Sequence, residues 1–224
     1  YLYDFFVDER YIKIDNKPVF IIYNSKHIPA LKEMMDFWSA KARKLGFSGI
    51  FFVNTLKDES DIRTSSELRF DAQFEYQPSF ALSRRRVPDY SWYYHLKRIL
   101  MKDICGRVST YSYDKVWNLA VKRTPKNGIT TFLGSFVDWD ITPRWGDKGL
   151  AFKGGDPDKF KKYLSYQLER SKAFDNSHFL FVTAWNEWSE GAYLEPDFKH
   201  NYSYLEAVKQ ALIETGNWVR IGIR

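Results

Sequence analysis

The run His178-Phe179-Leu180-Phe181-Val182-Thr183 is aromatic and β-branched with almost no charge. It reads as a strand buried on both faces, and such strands belong to parallel sheets covered by helices. The residues that follow, Ala184-Trp185-Asn186-Glu187-Trp188-Ser189-Glu190-Gly191-Ala192-Tyr193-Leu194-Glu195-Pro196-Asp197, pack carboxylates and two tryptophans into one short stretch. Parallel α/β folds place their chemistry at the carboxyl ends of strands, which is where these carboxylates would lie.

Strand and helix signals alternate along the rest of the chain, as in βα units. Strands are expected over Pro18 to Tyr23, Ser48 to Asn54, Phe70 to Tyr76 and Ile129 to Val137. Pro29 opens a helical pattern carrying Leu31, Met34, Met35, Trp38 and Ala42, stopped by Gly46. A second helix is expected after Asp156 as cap and Pro157 in the first turn, with Phe160, Tyr163, Leu164, Gln167 and Leu168 on one face. Tyr202 to Thr215 makes a closing helix, ended by Gly216. The expected class is α/β of (β/α)8 TIM-barrel type, with only the last five or so βα units present. A complete barrel takes about 250 residues, and this chain has 224. It reads as a single domain over residues 1–224, with about 79–126 as a variable insertion.

Spacing within the acidic stretch bears on chemistry. On an extended path Glu187 and Glu190 would be roughly 10 Å apart and on opposite faces. A helical turn after Trp185 would instead bring their Cβ atoms to about 5–6 Å, with Gly191 allowing the change of direction. Carboxyl groups about 5–5.5 Å apart suit retaining glycoside chemistry, and a gap of about 6.5–9.5 Å suits inversion through a water. Trp185 and Trp188 offer apolar faces to sugar rings and would help desolvate a general acid. The plainer alternative is a solvated loop whose tryptophans fill the barrel rim.

The same motif, continued by Tyr202-Ser203-Tyr204-Leu205-Glu206-Ala207, resembles the ending of the WbsX-like family. That is a family of glycosyltransferases of bacterial surface polysaccharide synthesis, related in fold to glycoside hydrolase family 99. Arg10 to Tyr23 resembles the segment leading into the family's fourth strand. Phe70 to Tyr76 resembles its sixth, and Trp139-Asp140-Ile141-Thr142-Pro143-Arg144 its seventh. The resemblance implies a carbohydrate-active enzyme that makes or cleaves glycosidic bonds in O-antigen or capsule synthesis. It implies Glu187 as the base assisting the sugar's own 2-hydroxyl and Glu190 as the acid protonating the leaving oxygen, without metal or cofactor. Nothing here matches the family's first three strands and the chain opens on Tyr1, so the expectation is the carboxyl-terminal portion of a larger protein, lacking an amino-terminal barrel half.

Substrate contacts are expected from Trp185, Asn186, Trp188 and Glu195 in the motif, from Trp139, Asp140 and Arg144, and from Glu75 and Tyr23 at other strand ends. An ion pair between Asp140 and Arg144 at the rim is the structural alternative for those two. Asp138-Trp139-Asp140 also has the acid-x-acid form that holds a divalent cation on nucleotide sugars, which leaves open a metal-dependent transferase using Asp138 and Asp140. No phosphate-cradling glycine loop follows a strand to support it. A further alternative is a non-catalytic glycan-binding subunit. The histidines His27, His95, His178 and His200 have no metal-site spacing.

The net charge of +6 gathers in Arg84-Arg85-Arg86, Lys97, Arg98, Lys102 and Arg107 and otherwise alternates with acids, which argues against nucleic acid. A solvated helix face explains the patch, and acidic polysaccharide, lipid-linked glycans or an anionic membrane surface would also meet it. The expected partner is an oligosaccharide or polysaccharide. The aromatic cluster Tyr90 to His95 could line a sugar groove or pack an insertion. A single Cys105 excludes an internal disulfide. With no signal peptide or long apolar run, the expected location is the cytoplasm, with peripheral association at the inner membrane.

Overall fold

The computed structural model describes residues 1–83, 100, 108–125, 128–174 and 179–218. The basic cluster from Arg84 to Arg107 and the aromatic run Tyr90 to His95 lie outside the described residues, as do Cys105 and His178. The chain forms two compact units, Tyr1–Glu75 with Pro125–Thr131, and Tyr76–Thr124 with Phe132–Arg224.

The first unit opens with helix α1 (Leu2–Phe6) and the antiparallel pair β1 (Lys13–Ile14) and β2 (Lys17–Ile22). The turn between them needs left-handed backbone at Asp15 and Asn16, residue types that tolerate it. Helix α2 (Leu31–Lys44) leads to β3 (Phe51–Leu56), and α3 (Glu59–Glu67) to β4 (Ala72–Glu75). β2, β3 and β4 pair in parallel, Val19 opposite Phe51 and Val53 opposite Ala72. β3 is buried from Phe52 to Leu56, as expected of a central parallel strand, and carries the buried polar residues Asn54 and Thr55. Asp71 ties the layer together, taking Phe52 N–H at 2.9 Å and Lys17 Nζ at 3.1 Å. α3 starts on a reciprocal capping box between Asp58 and Asp61. α2 begins at Leu31, two residues after Pro29.

The second unit contains β5 (Ser109–Ser112), α4 (Tyr113–Val121), β6 (Thr130–Phe136), α5 (Thr142–Trp145), β7 (Leu150–Lys153), α6 (Pro157–Ser171), β8 (Leu180–Thr183), β9 (Asn186–Glu187), β10 (Ala192–Tyr193) and α7 (Ser203–Glu214). β6 begins on the last two residues of the first unit. β6 and β8 pair in parallel, Leu133 opposite Leu180, as do β5 and β7. Asp156 caps α6, its Oδ1 accepting Lys159 N–H at 2.8 Å, with Pro157 in the first turn.

Aromatic rings form the centre of this unit. Trp117 is wholly buried, stacked on Phe136 at 4.4 Å and on Tyr163 at 5.1 Å between centroids. Tyr113 joins them edge-on and donates its hydroxyl to Val137 O at 2.8 Å. Rings that bury this much area dominate a core's energetics. Part of the 18% aromatic content is therefore structural.

The five strands expected from the sequence all occur, as β2, β3, β4, β6 and β8, with shifts of at most three residues at their ends. β5 and β7 were not expected. Among the described residues no helix is long and apolar enough to cross a membrane.

Candidate active site

The acidic stretch is a hairpin. After β8 the chain continues as β9, makes a single 3-10 turn over Trp188–Glu190, and returns as β10, with Glu187 opposite Ala192 and Asn186 opposite Tyr193. Trp185 O closes the base by accepting Leu194 N–H at 2.9 Å and Glu195 N–H at 3.1 Å. The chain therefore stays extended through Glu187, and helical geometry begins at Trp188 rather than just after Trp185. Glu187 immediately precedes the turn and Glu190 is its last residue. Gly191 reverses the chain at φ +61°, a left-handed conformation that costs glycine little.

The two glutamates have different surroundings. Glu187 is exposed, and its carboxylate has no hydrogen bond or ion pair among the described residues. Glu190 is largely covered, its side chain 18% exposed, and its Oε1 meets Arg144 Nη1 at 2.5 Å. Arg144 reaches it from α5, which packs against the 3-10 turn. Glu190 is also held through its backbone, since its carbonyl accepts Asp140 N–H at 2.7 Å.

The rim pair considered between Asp140 and Arg144 does not form. Asp140 Oδ1 instead takes Thr142 N–H at 2.8 Å and Thr142 Oγ1–H at 2.6 Å, a local bond that organises the start of α5. Asp138 Oδ1 accepts Trp139 N–H at 2.8 Å. Burial pushes the Asp138 carboxyl above the ordinary 3.8, with Asp140 adding to the rise and Trp139 N–H, Lys199 and His200 opposing it. Trp139 is half-buried and packs against the aromatic core.

On the hairpin's other side Trp188 is gripped twice. Its ring stacks on Tyr193 at 3.8 Å, 15° from parallel, and its Nε1–H donates to Glu195 Oε2 at 2.6 Å. Tyr193 donates its hydroxyl to Asp197 Oδ2 at 2.8 Å. Burial, and then that bond, pushes the Tyr193 hydroxyl up to about 12. Trp185 is 54% exposed and Asn186 is exposed beside it.

The structure thus gathers Asp140, Arg144, Glu190 and Gly191 around one contact, and Trp188, Tyr193 and Glu195 around another. Trp139 lies along the same chain as Asp140. Tyr23 and Glu75 belong to the first unit. Tyr23 is exposed, with Lys57 Nζ 4.3 Å from its ring centroid. Glu75 is 0% exposed at the end of β4. Tyr193 was not picked out from the sequence, although its place opposite Asn186 follows once the hairpin is known.

The family model for glycosyltransferase WbsX matches residues 1–208. The chain belongs to that family. It is 26% identical over 210 residues to the WxcX proteins of two strains of Xanthomonas campestris pv. campestris, covering 91% of this chain and 28% of each relative. The chain therefore spans little more than a quarter of the length of these curated relatives. Two solved structures of the GH99 endo-alpha-mannosidase from Bacteroides thetaiotaomicron share the fold, one of them in complex with BIS-TRIS-propane. Each has a TM-score of 0.52 at 15% identity and matches 92% of this chain, with 59% and 56% of the mannosidase chains covered.

Proposed function

We propose that this chain carries the acid/base glutamates of a carbohydrate-active enzyme, that Glu187 is the base and Glu190 the acid, and that its product or substrate is a bacterial surface polysaccharide. The observation that carries the reading is the contrast on one hairpin. Glu187 is exposed and has no side-chain partner among the described residues, while Glu190, three residues on, is fixed by Arg144 and by a backbone bond. Either role needs the carboxyl within hydrogen-bond reach of the proton it moves; Glu187 is open to a substrate, and Glu190 is held in one place. Trp185 and Trp188 flank the pair with surfaces suited to sugar rings. Membership of the WbsX family and the fold shared with the Bacteroides mannosidase support the substrate class. On this reading the chain contributes the last five or so units of a (β/α)8 barrel as a single domain, and Asn186, Glu195, Asp140 and Trp139 contact or surround the glycan.

Arg144 occupies one oxygen of Glu190, so Oε2 is the atom available to the leaving group unless Arg144 swings away. A metal-dependent transferase built on Asp138 and Asp140 is less well supported. Asp140 Oδ1 is committed twice to Thr142, and Asp138 Oδ1 to the backbone of Trp139.

The test is turnover of α-linked mannose oligosaccharides by the full-length protein and its Glu187→Gln and Glu190→Gln variants, with and without manganese and nucleotide sugar. Metal-free turnover that falls at least about a hundredfold in both variants supports the mechanism. Variants that keep activity, or turnover that requires manganese and a nucleotide sugar, would overturn it.

A further inference from the structure

Trp145 is 58% exposed, more than any other tryptophan among the described residues. It makes no ring contact or side-chain hydrogen bond there, although a tryptophan normally buries much of its large surface. Its exposure is not that of a loose loop. The segment is closed at its base by Phe152 N–H to Trp139 O at 2.8 Å and Ile141 N–H to Leu150 O at 3.0 Å. Within it Gly146 O accepts Gly149 N–H at 2.9 Å, and Gly149 sits so tightly on Thr142 that a Cβ there would lie 2.8 Å from Thr142 Cα. The indole is thus carried by a packed turn.

That turn is joined to the glutamate hairpin. Arg144, the preceding residue, grips Glu190, and successive Cα atoms are about 3.8 Å apart. Trp145 therefore stands within one residue step and one arginine side chain of the Glu190 carboxylate. Arg144 has further N–H donors, and the indole offers an apolar face and one N–H. Apolar faces edged by donors match a pyranose, whose ring faces carry C–H groups and whose rim carries hydroxyls.

We propose that Trp145, with the unused donors of Arg144, forms a sugar subsite beyond the one at the glutamates, so that the substrate is a chain of several sugars. This rests on the glycan reading above and extends it to the length of the substrate. In the further subsite the ring stacks on Trp145 and its hydroxyls bond to Arg144. No covalent step is involved.

The experiment compares full-length wild type with Trp145→Ala and Trp145→Phe on α-linked mannose oligosaccharides from the disaccharide to the hexasaccharide. Readouts are kcat and KM for each length, and hexasaccharide affinity by calorimetry in a Glu187→Gln background, which leaves the contact between Arg144 and Glu190 in place. Melting temperature serves as the folding control, and Trp145→Phe keeps a ring should the alanine variant fold poorly. The expected result is a loss in Trp145→Ala that grows with chain length, reaching at least about tenfold in KM and in affinity for the hexasaccharide with kcat little changed, and a smaller loss in Trp145→Phe. If wild type acts on these glycans and the variants lose nothing more on long chains than on short ones, the subsite is wrong and the glycan reading is untouched. If wild type neither binds nor turns over any of them, both readings fall.

Discussion

Gly191 lies directly against Asp140: a Cβ at position 191 would sit 3.1 Å from Asp140 Cβ and 3.3 Å from its amide nitrogen. That amide donates to the carbonyl of Glu190, so the close approach and the hydrogen bond belong to one contact. Gly191→Ala should therefore cost more than the left-handed backbone alone, which for a non-glycine residue is about 1 kcal/mol or more. The expected outcome is a lower melting temperature together with weakened turnover, because the hairpin must shift away from Asp140. Calorimetry and steady-state kinetics on the same preparation check both.

Arg144→Ala should separate stability from activity. The guanidinium is 51% exposed, and ion pairs so open to solvent contribute about 0–1 kcal/mol. Melting should therefore move little. Under the proposed mechanism turnover should fall at least about tenfold, because Glu190 loses the partner that orients it. Arg144→Lys should restore little, since a flexible ammonium does not reproduce the planar fork. Equal activity in wild type and both variants would rule out this orienting role.

Asp138 gives the fold a dependence on pH. Its carboxyl is raised above 3.8 by burial, so the folded chain favours the protonated form. The associated stability is fully present below the unfolded value and is lost as pH rises through the folded one. Asp138→Asn keeps an oxygen for Trp139 N–H and removes the charge. The variant should gain stability relative to wild type between pH 4 and 7, and the two should converge in more acidic solution. Denaturant midpoints across that range test the sign.

Trp117→Ala should be among the most damaging single changes. The ring is sandwiched between Phe136 and Tyr163, and removing a buried tryptophan costs about 3–5 kcal/mol. That is a large share of the stability of an ordinary domain. Urea unfolding should show a reduced midpoint, and Trp117→Phe should recover part of it.

The main parallel strands were legible because apolar and β-branched runs leave little room for charge, as in Leu180–Thr183, although Leu180, Phe181 and Val182 there are half-buried rather than covered on both faces. The start of α6 was legible because Asp156 and Pro157 announce themselves by local chemistry. β5 was not, because Ser109-Thr110-Tyr111-Ser112 is short and polar and becomes a strand only through β7. The bond between Arg144 and Glu190 was hidden for a different reason. The residues are 46 positions apart, and the nearer candidate partner, Asp140, is already engaged by Thr142. Strand alternation could not place Trp139, since β6 ends at Phe136 and the chain bends at Val137 before Asp140 forms an isolated bridge to Ala151. Trp145 carried no periodic signal at all.

Tyr193 covers one face of the Trp188 indole, and Glu195 fixes the ring's rotation through its N–H. A planar platform open on a single side makes a stereochemical filter. A ring that presents an unbroken patch of C–H groups can lie flat on it, whereas an epimer with an axial hydroxyl on that face is lifted away. On the proposed reading, discrimination between hexoses that differ at one carbon is thus built into the hairpin before any hydrogen bond to the substrate is formed.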